Sequence, residues 1–432
     1  MKRNFILENL NTDGVDRRGF LKCMAWAGTG VLWAVHGGVL RSAGLSQLID
    51  STSGTLREGL QVPKADFTFV QISDSHIGFS KDANPDVIGT LQAAVTKING
   101  LPDAPSLELH TGDLSHLSKA SEFDTLDQVL KSVRTDSIFF VPGEHDVLTD
   151  NGKQFRDRYG KRTKGDGWYS FDSHGIHFIG LVNVMNLKPG GMGLLGTEQL
   201  EWLEDDLRGR SSSTPIVVFA HIPLWAVYPQ WGWGTDDGAQ AISYLRRFGS
   251  VSVLNGHIHQ TMQKVEGNIT FHTAMSTAFP QPAPGMAAGP GPMKVPADRL
   301  RQILGVTDVN YMENRHTLAV VDMPLIGGPV IQQQWKDTSD TTKNTSTSVV
   351  ATNAVTIDNF SFTPQRIRVS AGTTVTWTNH DDIPHTVVSV TNLFASPPLD
   401  TDKQFSVTFR NSGTYDYYCS IHPHMTGSVT VV

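Results

Sequence analysis

The sequence predicts an α/β layered domain followed by a small all-β domain, and three observations carry this prediction. From about residue 65, short apolar runs alternate with amphipathic segments, as in layered α/β folds whose sheets are covered on both faces. After residue 350, apolar and polar residues alternate with a period of two, which is typical of half-buried strands. Between these regions, the stretch KDTSDTTKNTSTS at 336–348 contains no apolar residue and is predicted to be a linker.

The N-terminus is predicted to be an export signal. A charged segment ends in DRRGFLK at 16–22, and an apolar stretch rich in glycine follows at 23–40. The paired Arg17 and Arg18 resemble the twin-arginine signal of bacteria, which implies a periplasmic or secreted protein. Residues 1–43 are therefore assigned to the signal and 44–64 to a connector. Whether the signal is cleaved or retained stays open, and membrane contact is expected only through an uncleaved signal.

Composition narrows the function classes. The formal net charge of −7 offers no basic patch for nucleic acid. Two cysteines exclude a disulfide scaffold. Cleavage of the signal would remove Cys23 and leave Cys419 unpaired, so Cys419 is expected to be buried, reactive or metal-bound.

Six predicted strands and two predicted helices define the first domain, assigned to residues 65–335. The predicted strands are 67–73, 107–112, 138–143, 176–184, 215–221 and 251–257, and the predicted helices are 87–98 and 122–133. Polar motifs follow these strands, at the edge where α/β folds bind ligands.

The polar motifs contain the residue types of a metal site. They are DSH at 74–76, GDLSH at 112–116, GEHD at 143–146, AHIP at 220–223 and GHIH at 256–259. Carboxylates and imidazoles that converge from separate strand ends can hold divalent metals, and the neighbouring glycines allow sharp turns.

In this order the motifs resemble those of the calcineurin-like metallophosphoesterases, over about residues 65–325. The resemblance implies a four-layer α/β sandwich, in which helices flank a β-sandwich, and a metal-dependent phosphoesterase. It implies hydrolysis of small phosphate mono- or diesters by a hydroxide that bridges two metal ions (Mn, Fe or Zn), and His145 as the catalytic histidine. The implied metal ligands are Asp74, His76 and His259 for one ion, Asp113 as the bridge, and Glu144, His221 and His257 for the second ion.

Three features of this region stay open. The family has Asn where this chain has Glu144, which either binds the second metal as a carboxylate or turns away from it. His116 follows Asp113 by three residues, where purple acid phosphatases carry a metal-binding Tyr, and it is expected to be a neighbour of the ligands. Four aromatic residues form either a wall of the substrate site or local packing: Trp225, Tyr228, Trp231 and Trp233.

The second domain, assigned to 351–432 after the linker at 336–350, contains a second set of metal-binding side chains. Cys419, His422 and Met425 form C-x₂-H-x₂-M, and His385 lies upstream after a proline. A cysteine and two histidines with a weak axial methionine are the ligands of blue-copper sites.

These residues resemble those of the small cupredoxins, such as amicyanin and plastocyanin. The resemblance implies an all-β Greek-key sandwich that binds one copper ion. His424 and His380 are expected to face solvent.

Two functions follow from these motifs. The leading hypothesis is an exported phosphoesterase with a copper domain for electron transfer, with a redox partner protein, or for copper sensing. The linker argues against a fixed electron path, and the two sites are expected to be chemically independent, because the hydrolase motifs contain no sulfur ligand. The alternative is a copper-binding or electron-transfer protein whose hydrolase domain is catalytically weak.

Overall fold

The computed structural model describes residues 31–36, 39–44, 66–287, 289–312, 317–327 and 349–432. Most of the predicted signal, the connector after Gly44 and the linker up to residue 348 lie outside these ranges. In the N-terminal region, β1 (Val31–His36) pairs in antiparallel fashion with β2 (Val39–Gly44). Among the described residues, no helix combines the length and the apolar character that a membrane crossing requires.

The first domain contains two β-sheets. Its strands are β3 (Phe67–Ile72), β4 (Leu107–His110), β5 (Ser137–Phe140), β6 (Tyr169–Ser173), β7 (Ile176–Gly180), β8 (Ile216–Ala220), β9 (Val251–Asn255), β10 (Gln263–Glu266), β11 (Ile269–Thr273), β12 (Gly305–Met312) and β13 (Thr317–Pro324). One sheet has the order β13-β12-β3-β4-β5, and the other has the order β10-β11-β9-β8-β7-β6. All six predicted strands are present, and each ends one to four residues before the predicted limit.

Helices cover the outer faces of the two sheets. They are α1 (Val87–Asn99), α2 (Ala120–Leu130), α3 (Lys153–Tyr159), α4 (Thr197–Leu207), α5 (Gly238–Leu245) and α6 (Ala297–Ile303). Helix α1 begins where the Asp86 carboxylate accepts a 2.8 Å hydrogen bond from Gly89 N, as an N-cap residue does.

The core between the two sheets contains Phe69, Leu109, Phe178 and Phe219, and two further apolar clusters lie under the helices. Because both faces of β3 are covered, all six of its residues are buried. The predicted four-layer α/β sandwich is therefore confirmed.

The second domain is a sandwich of two four-stranded sheets. Its strands are β14 (Ala354–Ile357), β15 (Phe362–Thr363), β16 (Arg366–Val369), β17 (Thr373–Asn379), β18 (Val388–Ser389), β19 (Gln404–Phe409), β20 (Gly413–Tyr418) and β21 (Thr426–Val431). The orders are β15-β14-β17-β19 and β16-β21-β20-β18. Trp377 and Tyr417 meet edge to face in its core, with ring centroids 5.3 Å apart. The alternating stretch 367–379 forms two strands, because the chain turns at Gly372, where φ is 89°.

The second domain packs directly on the first. One continuous cluster of buried apolar side chains includes Phe79 and Phe279 of the first domain and Ile383 and Ile421 of the second. The side chain of Phe360 lies against the backbone of Gly289 and Gly291, where an added Cβ would come within 2.7 Å of Phe360 Cβ and 3.0 Å of its ring, respectively.

Two polar contacts accompany this packing. Gly190 N donates a hydrogen bond to Pro423 O, and Lys81 Nζ lies 4.0 Å from Asp400 Oδ1. The two domains are thus docked on each other.

Candidate metal centres

Residues that follow five parallel strands converge at one edge of the two sheets. Asp74 and His76 follow β3, Asp113 follows β4, and Glu144 lies in a short 3₁₀ turn after β5. His221 follows β8, and His257 and His259 follow β9. Because the strands of each sheet run in parallel here, their carboxyl ends bring all seven predicted ligands together.

The converging side chains form two groups of three donors. One group is Asp74, His76 and His259, and the other is Glu144, His221 and His257; within each group the donor atoms lie within 4.8 Å of one another.

Asp113 lies between the two groups. Its Oδ2 is 3.4 Å from His76 Nε2 in one group and 3.4 Å from His221 Nε2 in the other. This is the position that a carboxylate bridging two metal ions would occupy.

Five of these residues have left-handed backbone conformations, which are costly for side chains other than glycine. The φ angles are 54° at Asp74, 40° at His76, 51° at Asp113, 72° at His257 and 51° at His259. Bonds between the loops hold this geometry: His76 N donates to Asp113 O over 2.9 Å, and His257 N donates to the Asp74 carboxylate over 3.1 Å. Strain of this kind clusters at functional sites, and the sequence motifs gave no sign of it.

Glycines beside the ligands leave room for them. A Cβ on Gly143 would collide with the carboxylate and the backbone N of Asp113, and a Cβ on Gly256 would collide with Ser73 and approach Asp74 Oδ2 to 2.7 Å. At these two positions any side chain would displace a candidate ligand.

Hydrogen bonds at Nδ1 orient two of the imidazoles. His221 Nδ1 donates to Thr111 O over 2.7 Å, and His259 Nδ1 donates to Phe279 O over 2.6 Å. Both rings therefore direct Nε2 into the site, as metal-binding histidines do. Burial, together with His145, His259 and His116, lowers the pKa of His76 well below its ordinary value, which favours the neutral imidazole that binds metal.

Buried atoms without hydrogen-bond partners test whether metal ions fit this site. His221 Nε2 and Glu144 Oε2 are buried and make no hydrogen bond, although they lie 3.0 Å apart. His76 Nε2 and His259 Nε2 are 3.2 Å apart. Lone pairs that converge in this way suit a cation, so the donor set fits metal ions.

Glu144 is turned toward the second group. Its carboxylate oxygens lie 3.0 Å from His221 Nε2 and 2.9 Å from His257 Nδ1. Burial raises the pKa of Glu144, but His257 and His221 outweigh it and hold the pKa well below its usual range. The carboxylate is thus ionised and directed at the second group, which favours the alternative in which it binds the second metal.

His145 and His116 lie beside the ligands. His145 N donates to Asp113 Oδ1 over 3.0 Å, and His145 Nδ1 donates to His116 O over 2.8 Å. These bonds leave His145 Nε2 available to a bound molecule. His116 Nδ1 lies 3.5 Å from His76 Nδ1, on the opposite side of the His76 ring from Asp113. His116 thus contacts the candidate ligand His76 on the side of its ring that faces away from Asp113, in agreement with its expected position as a neighbour of the ligands.

The second domain brings together its own donor set. Cys419 Sγ lies 3.6 Å from His385 Nδ1 and 3.7 Å from His422 Nδ1, and the two Nδ1 atoms are 3.2 Å apart. Met425 is buried, and its carbonyl accepts a 3.1 Å hydrogen bond from Cys419 N.

The surroundings favour a thiolate at Cys419. Thr386 N donates to Sγ over 3.3 Å. Burial raises the pKa of Cys419, but His385 and the neighbouring backbone lower it below its usual value overall. Asp381 accepts a 2.8 Å hydrogen bond from His385 Nε2 and fixes that ring. A buried thiolate and two imidazoles fit copper.

Comparison with known proteins identifies the second domain. Residues 349–432 match the family model of copper-binding proteins of the plastocyanin/azurin family. Amicyanin of Paracoccus denitrificans is 35% identical over 89 residues, which cover 19% of this chain and 68% of amicyanin. Through this domain, the chain belongs to the plastocyanin/azurin family.

The first domain matches a different family. Residues 67–261 match the model of calcineurin-like phosphoesterases. A 3′,5′-cyclic-nucleotide phosphodiesterase of Nostoc sp. is 25% identical over 222 residues, which cover 50% of this chain and 80% of that protein. A serine/threonine-protein phosphatase of Bos taurus is 29% identical over 181 residues, 38% of this chain and 58% of that protein. The chain thus carries a calcineurin-like phosphoesterase domain, which implies divalent metals, and a plastocyanin/azurin-type domain, which implies copper.

Several phosphoesterase ligands and one copper-ligand candidate, His422, face one pocket. It is lined by His76, Asp113, Glu144 and His145 of the phosphoesterase domain and by Ile383, Ile421, His422 and Pro423 of the copper-binding domain. The rings of His145 and His422 are 6.3 Å apart. The expected chemical independence concerns the donor types, which differ between the two sets. In space the two sites are adjacent, because residues of the copper-binding domain line the pocket that contains the phosphoesterase ligands.

The aromatic residues divide between the two roles left open by the sequence. Trp231 and Trp233 line the pocket and pack edge to face at 5.0 Å. Trp225 is partly buried and packs on Phe271 of the six-stranded sheet, with ring centroids 5.0 Å apart.

Of the two histidines that were expected to face solvent, His380 and His424, only His380 does so. His380 is exposed, as predicted. His424 is largely covered, with neither ring nitrogen hydrogen-bonded, and a Cβ on Gly232 of the phosphoesterase domain would lie 3.7 Å from its Nδ1. The prediction for His424 is wrong because the docked domain covers it.

Proposed function

We propose that the protein is an exported phosphoesterase that uses two metal ions to hydrolyse small phosphate mono- or diesters, and that its second domain holds one copper ion. The observation that carries the proposal is the pair of three-donor groups joined at Asp113. Two groups that share a carboxylate are the arrangement that two-metal hydrolysis requires.

Each ion would be held by three residues of its own and by the shared Asp113. Asp74, His76 and His259 would hold the first, Glu144, His221 and His257 the second, and Asp113 both. Nitrogen and oxygen donors without sulfur suit Mn, Fe or Zn. When bound, the two ions supply positive charge that stabilises the phosphoryl oxygens and lowers the pKa of a water nucleophile.

His145 would act on the leaving group. Its backbone N positions Asp113, and its Nδ1 is occupied by the His116 carbonyl, so Nε2 remains to contact the phosphoryl oxygen and to protonate the departing alkoxide. A positioned acid of this kind is worth about 10²–10⁴ in rate.

Hydrolysis of phosphoesters by metal-loaded protein tests the proposal. A panel of phosphate mono- and diesters should contain at least one substrate, and its turnover should fall strongly in His257→Ala protein. His380→Ala, at an exposed histidine outside the pocket, serves as the control. If protein with two metals per chain cleaves neither mono- nor diesters, the proposal fails.

The copper site has its own test. Addition of Cu(II) should produce an intense absorption near about 600 nm, as expected of a Cu–thiolate bond in blue-copper geometry, and Cys419→Ser should abolish it. Wild-type protein that binds copper without this absorption would contradict the assignment.

A second candidate function is electron transfer to a partner protein, or copper sensing, with weak hydrolysis. Glu144 in place of the family asparagine favours it, because a third carboxylate at the two ions would reduce their Lewis acidity. Restoration of high activity in Glu144→Asn would support this alternative.

Export is proposed from the segment RRGFLK at 17–22. The protein should reach the periplasm or medium of a bacterial host, and Arg17→Lys combined with Arg18→Lys should retain it in the cytoplasm. Export of the double variant at the wild-type level would contradict twin-arginine transport.

A further inference from the structure

Residues of the copper-binding domain line the pocket that contains the phosphoesterase ligands. Ile383, Ile421, His422 and Pro423 face the same space as Asp113, Glu144 and His145. A phosphoester bound at the phosphoesterase ligands would therefore contact both domains.

His422 contacts both the copper donor set and the pocket that contains the phosphoesterase ligands. Its Nδ1 lies 3.7 Å from Cys419 Sγ and 3.2 Å from His385 Nδ1, so this side of the ring faces the copper ligands. Its ring also lines the pocket, 6.3 Å from the ring of His145. A single imidazole thus separates the two donor sets.

The interface that holds this arrangement is close-packed and lies partly outside the pocket. Phe360 contacts Gly289 so closely that an added Cβ on Gly289 would lie 2.7 Å from Phe360 Cβ. No rotation of the Phe360 side chain relieves a contact with its own Cβ. Pro423, beside His422, accepts a hydrogen bond from Gly190 N.

We propose that the copper-binding domain forms one wall of the phosphoester site and that His422 couples the contents of this site to the copper ligands. The proposal rests on the proposed phosphoesterase function. It adds Ile421, His422 and Pro423 to the substrate-binding surface and restricts substrates to small phosphoesters.

Reciprocal linkage follows from the shared wall. A copper ion held by Cys419, His385 and His422 would add positive charge on the Nδ1 side of the His422 ring, and an anion in the pocket would contact the same ring. Anion binding and copper binding should therefore strengthen each other by the same factor. When two sites are coupled, a ligand at one site typically changes the affinity of the other site about fivefold or more.

Titration of the full chain with inorganic phosphate tests the proposal. The protein is loaded with divalent metal and Cu(II), and the copper absorption near about 600 nm is followed while phosphate inhibition of phosphoester hydrolysis is measured in parallel. We expect a saturable change in the absorption band, with half-saturation at the phosphate concentration that half-inhibits hydrolysis. Phosphate should inhibit the Cu(II)-loaded protein about fivefold more tightly than the copper-free protein.

A variant of the interface provides the decisive comparison. Gly289→Val replaces no candidate metal ligand and should separate the two domains at Phe360. Because the Phe360 ring also packs on His385 and His422, the Cu(II) band of the variant is first recorded without phosphate and should match that of the wild type. The variant should then lose the phosphate-induced change in the band while hydrolysis and its inhibition persist. Gly249→Val is the matched control, because a Cβ there meets only Ser212 O at 3.7 Å, and it should behave as wild type.

The outcomes separate this proposal from the phosphoesterase proposal. Hydrolysis that phosphate inhibits without any change in the copper band overturns the shared wall and leaves the phosphoesterase intact. A change in the band that persists in Gly289→Val overturns it as well, because phosphate then acts on copper directly. Absence of both hydrolysis and phosphate binding overturns the phosphoesterase first and the shared wall with it.

Discussion

Replacement of His145 by alanine isolates the proton transfer to the leaving group in the proposed hydrolysis. The hydrogen bond that joins residue 145 to Asp113 comes from the backbone N, 3.0 Å from Oδ1, so it survives the substitution. None of the seven candidate metal ligands is altered. His145→Ala protein should therefore bind two metal ions per chain, and its defect should lie in catalysis.

The size of the defect depends on the leaving group. An alkoxide needs a proton as it departs, and loss of a positioned acid costs about 10²–10⁴ in rate, which corresponds to about 3–5 kcal/mol. A nitrophenolate is stable without a proton, so its departure needs little help. We expect kcat/KM to fall about thousandfold for an alkyl phosphoester and less than about tenfold for a nitrophenyl phosphoester.

Steady-state kinetics with the two substrates provide the assay, with metal content measured on the same preparations. His272→Ala is the control, since His272 is also buried but is hydrogen-bonded to Asp322 over 3.0 Å, outside the pocket lining. Equal losses for the two substrates in His145→Ala protein would refute the assignment of His145 as the acid.

Three further substitutions probe the site and its support. Glu144→Asn should weaken binding of the second metal about 10- to 100-fold, because it removes an ionised carboxylate from its two histidine neighbours; unchanged affinity in a metal titration would argue against ligation by Glu144. Gly143→Ala should disrupt metal binding and lower the free energy of unfolding by about 2 kcal/mol or more, because the new Cβ collides with Asp113, and Gly249→Ala should change neither. Glu108 is buried without a hydrogen-bond partner, and burial raises its pKa from 4.5 to about 8. The folded state therefore loses stability as pH rises from about 4.5 through 8, by about 5 kcal/mol. Glu108→Gln should remove this loss in denaturant unfolding at pH 5 and pH 9, and an unchanged pH dependence would contradict the buried, unpaired carboxyl.

The sequence predicted the sheet positions and the candidate ligands because both follow from local patterns. Apolar runs such as 67–73 end in polar motifs, and parallel strands bring their ends to one edge. The proximity of Asp74 and Asp113 could therefore be predicted from their positions after neighbouring strands, without the conformation of the loops.

Three properties of the sites could not be predicted from these local patterns. The left-handed backbone at His76 or Asp113 has no residue signature, since it is imposed by bonds between loops. Docking of the domains depends on contacts such as Phe360 on Gly289, which leave no periodicity in either segment. His424 was expected in solvent from alternation, but residues 419–425 form a turn in which Met425 N donates to His422 O over 2.9 Å, so strand alternation does not apply.

Metal analysis combined with a phosphoester panel tests the central claim most directly. The purified full chain should hold two divalent ions and one copper ion, and it should hydrolyse at least one small phosphate mono- or diester in a reaction that a chelator abolishes and divalent metal restores. A protein that carries both divalent ions and yet cleaves no phosphoester would contradict the account.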